Sequence, residues 1–552
     1  MALSSAVAWC AFLLRLLISV SSPVLEAREI RINEHFPFRA DYSGPFRHHQ
    51  NAEGMNDGDI AGNGYGEHST TAVAANQTLL SASCTGSKSG GPTDNPVASM
   101  YGNATYPWVN RMVNWSCVFN VKDFHDDLES AQKAAVASGG GVVYLPAGKY
   151  TLKENFVLAS GVVLRGEPTG TEKARNNKEA GNLAPKTVLE CPDREHMGIF
   201  NSDPKAMNMG VINLDLSGCA VMLWPALNSP SKFNLKSYFY YATDVLGMGS
   251  NKLVFGNRIR DVSYKYPDPA SPTGNIWPYR WSAAIAAYSE NNTLVANNLL
   301  AKSDKFAKTT IKLDVGKPTE KTVTTDYPYD NRYGIDAGQV LLGGVIGAYS
   351  KSGKCPSSPG SLTPKCAPWY FSRGVIVRDN YIYMNGRVGI SWSGGGDGKT
   401  IGSGPQIVSN HVEVAKGTTC WTVDGVHLSK GSDTNENRGF NQEGYANNVS
   451  ANTANVNRQL VSDGHYTTVD GEGLLHQAAS GNDGYRNIWH GNDFSSGSSG
   501  PIFYYKLYNV EDSVISNNIA GKDSPIGIVV DEAHHNVKNV KCSDNKPKCT
   551  GV

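Results

Sequence analysis

An asparagine recurs where one short apolar strand ends and the next begins. Along "KLVFGNRIRDVS", "TLVANNLLAKS", "GVIVRDNYIYMNGRVGISWSG", "PQIVSNHVEVAKG", "GYRNIWHGNDFSSG" and "DSVISNNIAGKDSPIGIVVDE" it falls at Asn257, Asn298, Asn380, Asn410, Asn492 and Asn518. Asparagine accepts the backbone angles of a sharp bend, and its amide both donates and accepts hydrogen bonds. The step is 30 residues from Asn380 to Asn410 and 26 from Asn492 to Asn518; the others are longer, as inserted loops would make them. Short strands repeating without helices between them point to a solenoid, whose coils pair with the coils before and after. The repeated bend asparagine favours this over a β-sandwich. It also predicts that the asparagines stack in a ladder, one per coil.

The chain has 552 residues, 58 of them glycine, and 40% are apolar, which supports one elongated all-β domain with a real core. Fifty basic and fifty acidic residues balance, so net charge argues for neither nucleic acid nor an anionic membrane as partner. Residues 1–27, "MALSSAVAWCAFLLRLLISVSSPVLEA", read as a secretory signal peptide ending at Ala27. No later stretch is apolar enough to span a bilayer, so the expected product is exported, with no membrane attachment once the signal is removed. Sequons at Asn76, Asn103, Asn114, Asn291 and Asn448 fit that route as glycosylation sites. Nine cysteines remain after the signal, and export favours disulfides. Cys355 with Cys366 and Cys542 with Cys549 would close small loops, and Cys84 with Cys117 is a looser pairing. No spacing marks a structural metal site.

Residues 28–116 are polar, loop-like in composition, and read as an irregular extension that wraps onto the main domain. From Cys117 the pattern changes to strand, helix, Gly-rich turn and further strands. Leu128, Ala131, Ala135 and Val136 give the segment Asp126 to Ser138 a short helical face. An open solenoid end exposes unpaired strand edges and core, and a helix laid across it would cover both. The solenoid then runs over 117–540, with 541–552 as a tail.

The stretch Cys117–Glu167 resembles the opening of the pectin-lyase-like superfamily. It carries "VKDF" at Val121–Phe124, "GGGVVYLPAGKYTL" at Gly139–Leu152 and "LASGVVLRG" at Leu158–Gly166, with the link before the helix contracted to "HDDLES". The resemblance implies a right-handed parallel β-helix with an N-terminal cap helix. It also implies an enzyme acting on polysaccharides, by hydrolysis or by β-elimination of uronides. The Asn-Thr-Asp, Asp-Asp, Gly-His-Gly and Arg-Ile-Lys set of polygalacturonan hydrolases is missing, "RIRD" at Arg258–Asp261 being a partial echo. The "WIDH"-type signature of calcium pectate lyases is missing too. No named activity on pectin carries over.

The candidate chemistry is therefore internal. "SDGHYTTVDGEGLLHQ", Ser462 to Gln477, concentrates Asp463, His465, Asp470, Glu472 and His476 between glycines, and "TVDGVHL" at Thr422–Leu428 is a near copy of "TVDGEGL" at Thr468–Leu474. The copies lie 46 residues apart, which fits two coils or one coil with a long insertion. Asp424 and Asp470 would then stand roughly 5 or 10 Å apart along the axis, near the spacings of glycosidase carboxylate pairs. Asp470 and Glu472 share strand parity, and their repulsion would separate a proton donor from a base. Asp424, Asp463, His465 and His427 are the supporting candidates. A repeated "VDG" that only shapes a bend is the bland alternative. For elimination, Lys430, Arg387 or Arg438 would supply a base, and calcium would suit a bridge between Asp424, Asp463 and Asp470; hydrolysis would need no cofactor. Trp392 and Trp421, with Arg387 and Lys430, are the candidate sugar contacts, and Trp277, Tyr279, Trp281, Trp369, Tyr370 and Trp489 offer further ring faces. The expected partner is a polysaccharide or other glycan. The reading is a glycoside hydrolase, with a polysaccharide lyase and a non-catalytic carbohydrate-binding or matrix protein as the alternatives.

Overall fold

The computed structural model describes residues 84, 86, 88–168, 170, 172–176, 179–191, 198–201, 206–223, 249–262, 283–301, 306–313, 321–328, 333–337, 372–384, 388–397, 400–414, 437–444, 446–455, 476–481, 484–496, 503–505, 510–520, 526–530 and 537–550. Three parallel sheets run along the chain, one of twelve strands and two of eight. Coil after coil contributes one strand to each sheet, so Ser250–Phe255, Arg258–Arg260 and Ala283–Ala287 are followed by Asn291–Ala296 back in the first. Among the described residues only two hairpins pair antiparallel, Phe306–Leu313 with Lys321–Pro328 and Arg175–Asn176 with Glu179–Ala180. The architecture is thus a parallel β-helix, not a sandwich.

Register is set by like side chains standing above one another. In the first sheet Val211, Val254, Val295, Val377, Ile407, Val449, Trp489 and Ile515 are successive partners, all buried. Ile199, Val221, Ile285, Ile335 and Ile390 do the same in the third sheet. Alternation sends these positions inward in every coil, and their removal from water supplies the main driving force.

The expected asparagine ladder forms at the bend between the first and second sheets. Asn257, Asn298, Asn380, Asn410, Asn452, Asn492, Asn518 and Asn545 follow one another, each buried. Nδ2 of Asn380 donates to Oδ1 of Asn410 at 2.9 Å and to the Val295 carbonyl at 2.9 Å, while the Asn380 backbone N–H donates to the same Oδ1 at 3.2 Å. The left-handed angle belongs not to the ladder asparagine but to the residue before it: Gly256, Asn297, Asp379, Ser409, Ala451, Gly491, Asn517 and Asp544 have φ between 50° and 70°. That frees the asparagine to point inward along the ladder. A shorter ladder at another bend joins Asn208, Asn251 and Asn292.

The N-terminal end is closed by the helix Leu128–Ala137, with Leu128, Ala131 and Ala135 buried. Asp127 caps it, accepting from the Glu129 N–H at 3.0 Å and from the Ser130 hydroxyl at 2.6 Å. Gln132 ties it to the edge strand Phe156–Leu158, donating to the Val157 carbonyl at 2.8 Å and accepting from the Ala159 N–H at 2.9 Å. Val136, expected on the buried face, is 47% exposed; the contact is the single line of Leu128, Ala131 and Ala135 along the helix. "VKDF" forms a 3-10 turn, closed by His125 and Asp126 in left-handed geometry. The "GGG" turn allows close approach: a Cβ on Gly141 would lie 2.4 Å from the Cys117 carbonyl oxygen.

The described part of the N-terminal extension contains the helices Pro96–Tyr101 and Pro107–Met112, where loop was expected. Val97, Val109, Met112 and Trp115 pack on Val142, Tyr144, Val163, Leu253 and Phe255 of the first sheet. This covered outer face explains why those strands are apolar on both sides. Cys84–Cys117 tethers the extension, with Cα atoms 5.5 Å apart, and Cys542–Cys549 closes the far end at 6.2 Å. Cys191–Cys219, absent from the sequence reading, staples consecutive coils at 5.2 Å; Cys355 and Cys366 lie outside the described residues.

Replacing Asn410 by Leu would strip Asn380 of its amide acceptor and the Val377 carbonyl of its donor. Unfolding by denaturant should then show a loss of about 3 kcal/mol or more; a variant as stable as the wild type would remove the ladder from the stability account. Leu128→Asp should cost about 3 kcal/mol or more by burying an unpaired charge beneath the cap, and an unchanged melting temperature would contradict the capping role.

Candidate functional site

Long connections lead into and out of the strands of the third sheet, among them residues 224–248, which run from Ala220–Leu223 to Ser250–Phe255 of the first sheet, and 263–282 before Ala283–Ala287. Among the described residues the N-terminal helices pack on the first sheet. Between the inward positions Ile335 and Ala337 stands Asp336, in register with Ala286 on one side and Ser391 on the other. Ser391 pairs with Asn441, and Asn441 with Ser480. A row Asp336, Ser391, Asn441, Ser480 therefore crosses four strands, spaced about 4.8 Å apart. Glu443 pairs with Ser393 two positions further along the same strands.

Most of the sequence candidates lie outside the described residues. Trp421, Asp424, His427 and Lys430 fall between the strands His411–Val414 and Asn437–Gly444. Asp463, His465, Asp470 and Glu472 fall between Thr453–Asn455 and His476–Gly481. Arg387 is also outside. The flanking strands decide one open question. His411 pairs with Thr453, and Asn437 with His476, so the two "TVDG" copies belong to the same connection of consecutive coils. The 46-residue step is one coil with a long insertion.

Trp392 is corrected. It is fully buried, its Nε1–H donates to Asn447 Oδ1 at 2.9 Å, and its ring lies 6.3 Å from that of Trp489, which is also buried. A stacking platform needs an open ring face, and neither indole has one. Inward parity beside Ile390 was the sequence signal that should have excluded Trp392.

Two polar clusters on the second sheet are closed contacts. Arg260 holds Asp215 at 3.0 Å and Arg258 approaches it at 3.7 Å, so the "RIRD" echo is an ion-pair array. Tyr381 donates to Glu413 Oε2 at 2.7 Å and stacks on His411, whose Nδ1 lies 2.6 Å from Thr453 Oγ1. Burial, then the Glu413 carboxylate, pushes the Tyr381 phenol well above its ordinary value, so it stays a neutral donor. Ala174 and Leu183 pack over Tyr381 and Leu299. Among the sequons, Asn103 is exposed, Asn114 and Asn291 are half-buried, the Asn448 amide donates to Gln406 at 2.7 Å, and Asn76 lies outside the described residues. Among the described residues no group of three His, Cys, Asp or Glu is placed to hold a metal ion, and no helix is long and apolar enough to cross a membrane.

No family model matches the sequence, and no curated protein does. Solved structures do. The A-module of a mannuronan C-5 epimerase of Azotobacter vinelandii is 12% identical over 78% of this chain and 99% of that one, with a TM-score of 0.32. The surface adhesin PfbA of Streptococcus pneumoniae is 14% identical over 77% and 91%, with a TM-score of 0.32. A family 28 exopolygalacturonase of Yersinia enterocolitica is 12% identical over 79% of each chain, with a TM-score of 0.26. The likeness is one of fold, and the fold assignment rests on the strand pairing given above.

Proposed function

We propose that this chain is a secreted carbohydrate-active enzyme, a glycoside hydrolase whose substrate groove runs along the outer face of the third sheet. One observation carries the reading. The pairing of His411 with Thr453 and of Asn437 with His476 puts the two acid-bearing "TVDG" connections in neighbouring coils, each leading into a strand of that sheet. Two carboxylates from such connections can face one glycosidic bond, one giving a proton to the leaving oxygen and the other acting as base or nucleophile. Asp470 and Glu472 are the leading pair, with Asp424, Asp463, His465 and His427 around them. The disulfides and the leader-like N-terminus support an exported protein, with Asn103 the best placed of the sequons for a glycan.

The test is product analysis on a polysaccharide panel. New reducing ends without ultraviolet absorbance at the cleavage site are expected. Unsaturated ends would mean elimination instead, and a requirement for calcium would then be sought by chelation. No cleavage of any substrate would leave a binding or matrix protein. On the substrate that is cleaved, Asp470→Asn and Glu472→Gln should each lower turnover by about 100-fold with the melting temperature unchanged; full activity in both would remove them from the chemistry.

A further inference from the structure

Away from the third sheet, a cavity of about 290 Å³ lies where the N-terminal helix Pro96–Tyr101 and the described residues between Pro168 and Pro185 meet the bend between the first and second sheets. Pro96, Met100, Leu183 and Phe255 give it apolar walls. Three polar atoms of its lining are buried and have no hydrogen-bond partner: Arg165 Nε, Asn213 Nδ2 and Glu172 Oε2. Arg165 is 1% exposed and Asn213 4%. Orphaned buried groups are rare in folded proteins, and each carries a desolvation penalty that a partner would relieve. Three around one cavity point to a missing polar occupant.

We infer that this cavity is a second binding site, for a neutral sugar ring. Two orphans are donors and one is an acceptor, so the occupant must both accept and donate, as vicinal hydroxyls do. The apolar walls match the C–H faces of a pyranose. The volume is at the small end of ligand sites, about 300 Å³ upward, which suits one ring rather than a chain segment. Charge favours neutrality. Arg165 is already balanced by Asp94, with Nη2 on Asp94 Oδ1 at 2.7 Å and Nη1 on the Asp94 carbonyl at 2.6 Å. Glu172 and Lys173 stand in the same lining, so its acidic and basic groups balance, two of each. The site stands on its own geometry, independent of the chemistry assigned to the third sheet.

Binding to the full chain is measured by calorimetry and saturation-transfer NMR. The probes are the methyl glycosides of glucose, galactose and mannose, a disaccharide of whichever binds, and galacturonate. Saturable binding of at least one neutral glycoside is expected. Glu172→Gln, at a half-buried position, should weaken it about tenfold or more, and Ser99→Trp, on the exposed side of the helix, should abolish it by filling the cavity. A disaccharide binding as tightly as its methyl glycoside identifies a chain end as the source, and a weaker one a small free sugar; both support the site. No saturable binding, tighter binding of galacturonate than of every neutral probe, or binding unchanged in both variants would overturn it. The orphaned atoms would in those cases be satisfied by ordered water only, or the sugar would be held elsewhere.

Discussion

The amide-to-amide hydrogen bond between asparagines of successive coils is the interaction on which the rest of the structure depends. Each ladder asparagine is buried, so its amide must be paired or destabilise the fold. The ladder pairs it fully: Asn410 accepts from Asn380, and donates to Asn452 and to the Val377 carbonyl. A slip of one residue in any coil would break these bonds and also turn the apolar stack outward. Hydrophobic burial drives the coils together, while the ladder fixes their register. Long connections on either side of Tyr333–Ala337, between Leu300 and Arg373, are tolerated because they leave the bend before Asn380 unchanged.

Much of this was legible in the sequence because it repeats. Six of the eight ladder asparagines stood out at strand ends. Asn452 and Asn545 did not, since the strands before them, Asn448–Ser450 and Lys541–Ser543, are short and polar at their edges. The cap helix was legible from its apolar spacing and its position after the first strand. What the sequence did not yield depends on contacts between distant segments. Cys191 and Cys219 are neighbours only because coils stack, and Val97 and Met112 acquire a partner only once the first sheet exists. Trp392 was misread because aromatic character was weighed before strand parity, and the core claimed the ring.

The same logic bears on the candidate site. Composition drew attention to Asp470 and Glu472, but spacing alone left one coil and two coils equally open. Backbone pairing closed that question, and it added Asp336 and Glu443 to the acidic groups associated with the third sheet. Connections between the strands of a solenoid can vary in length without disturbing the stacked coils.

The central claim is that coil register makes the two "TVDG" connections act as one unit. A double-mutant cycle on turnover tests it most directly, with Asp424→Asn, Asp470→Asn and the pair measured on the cleaved substrate. Each single change should cost about 100-fold, and the pair should cost little more than either, as groups sharing one transition state do. Losses that multiply, or full activity in both single variants with the fold intact, would contradict it.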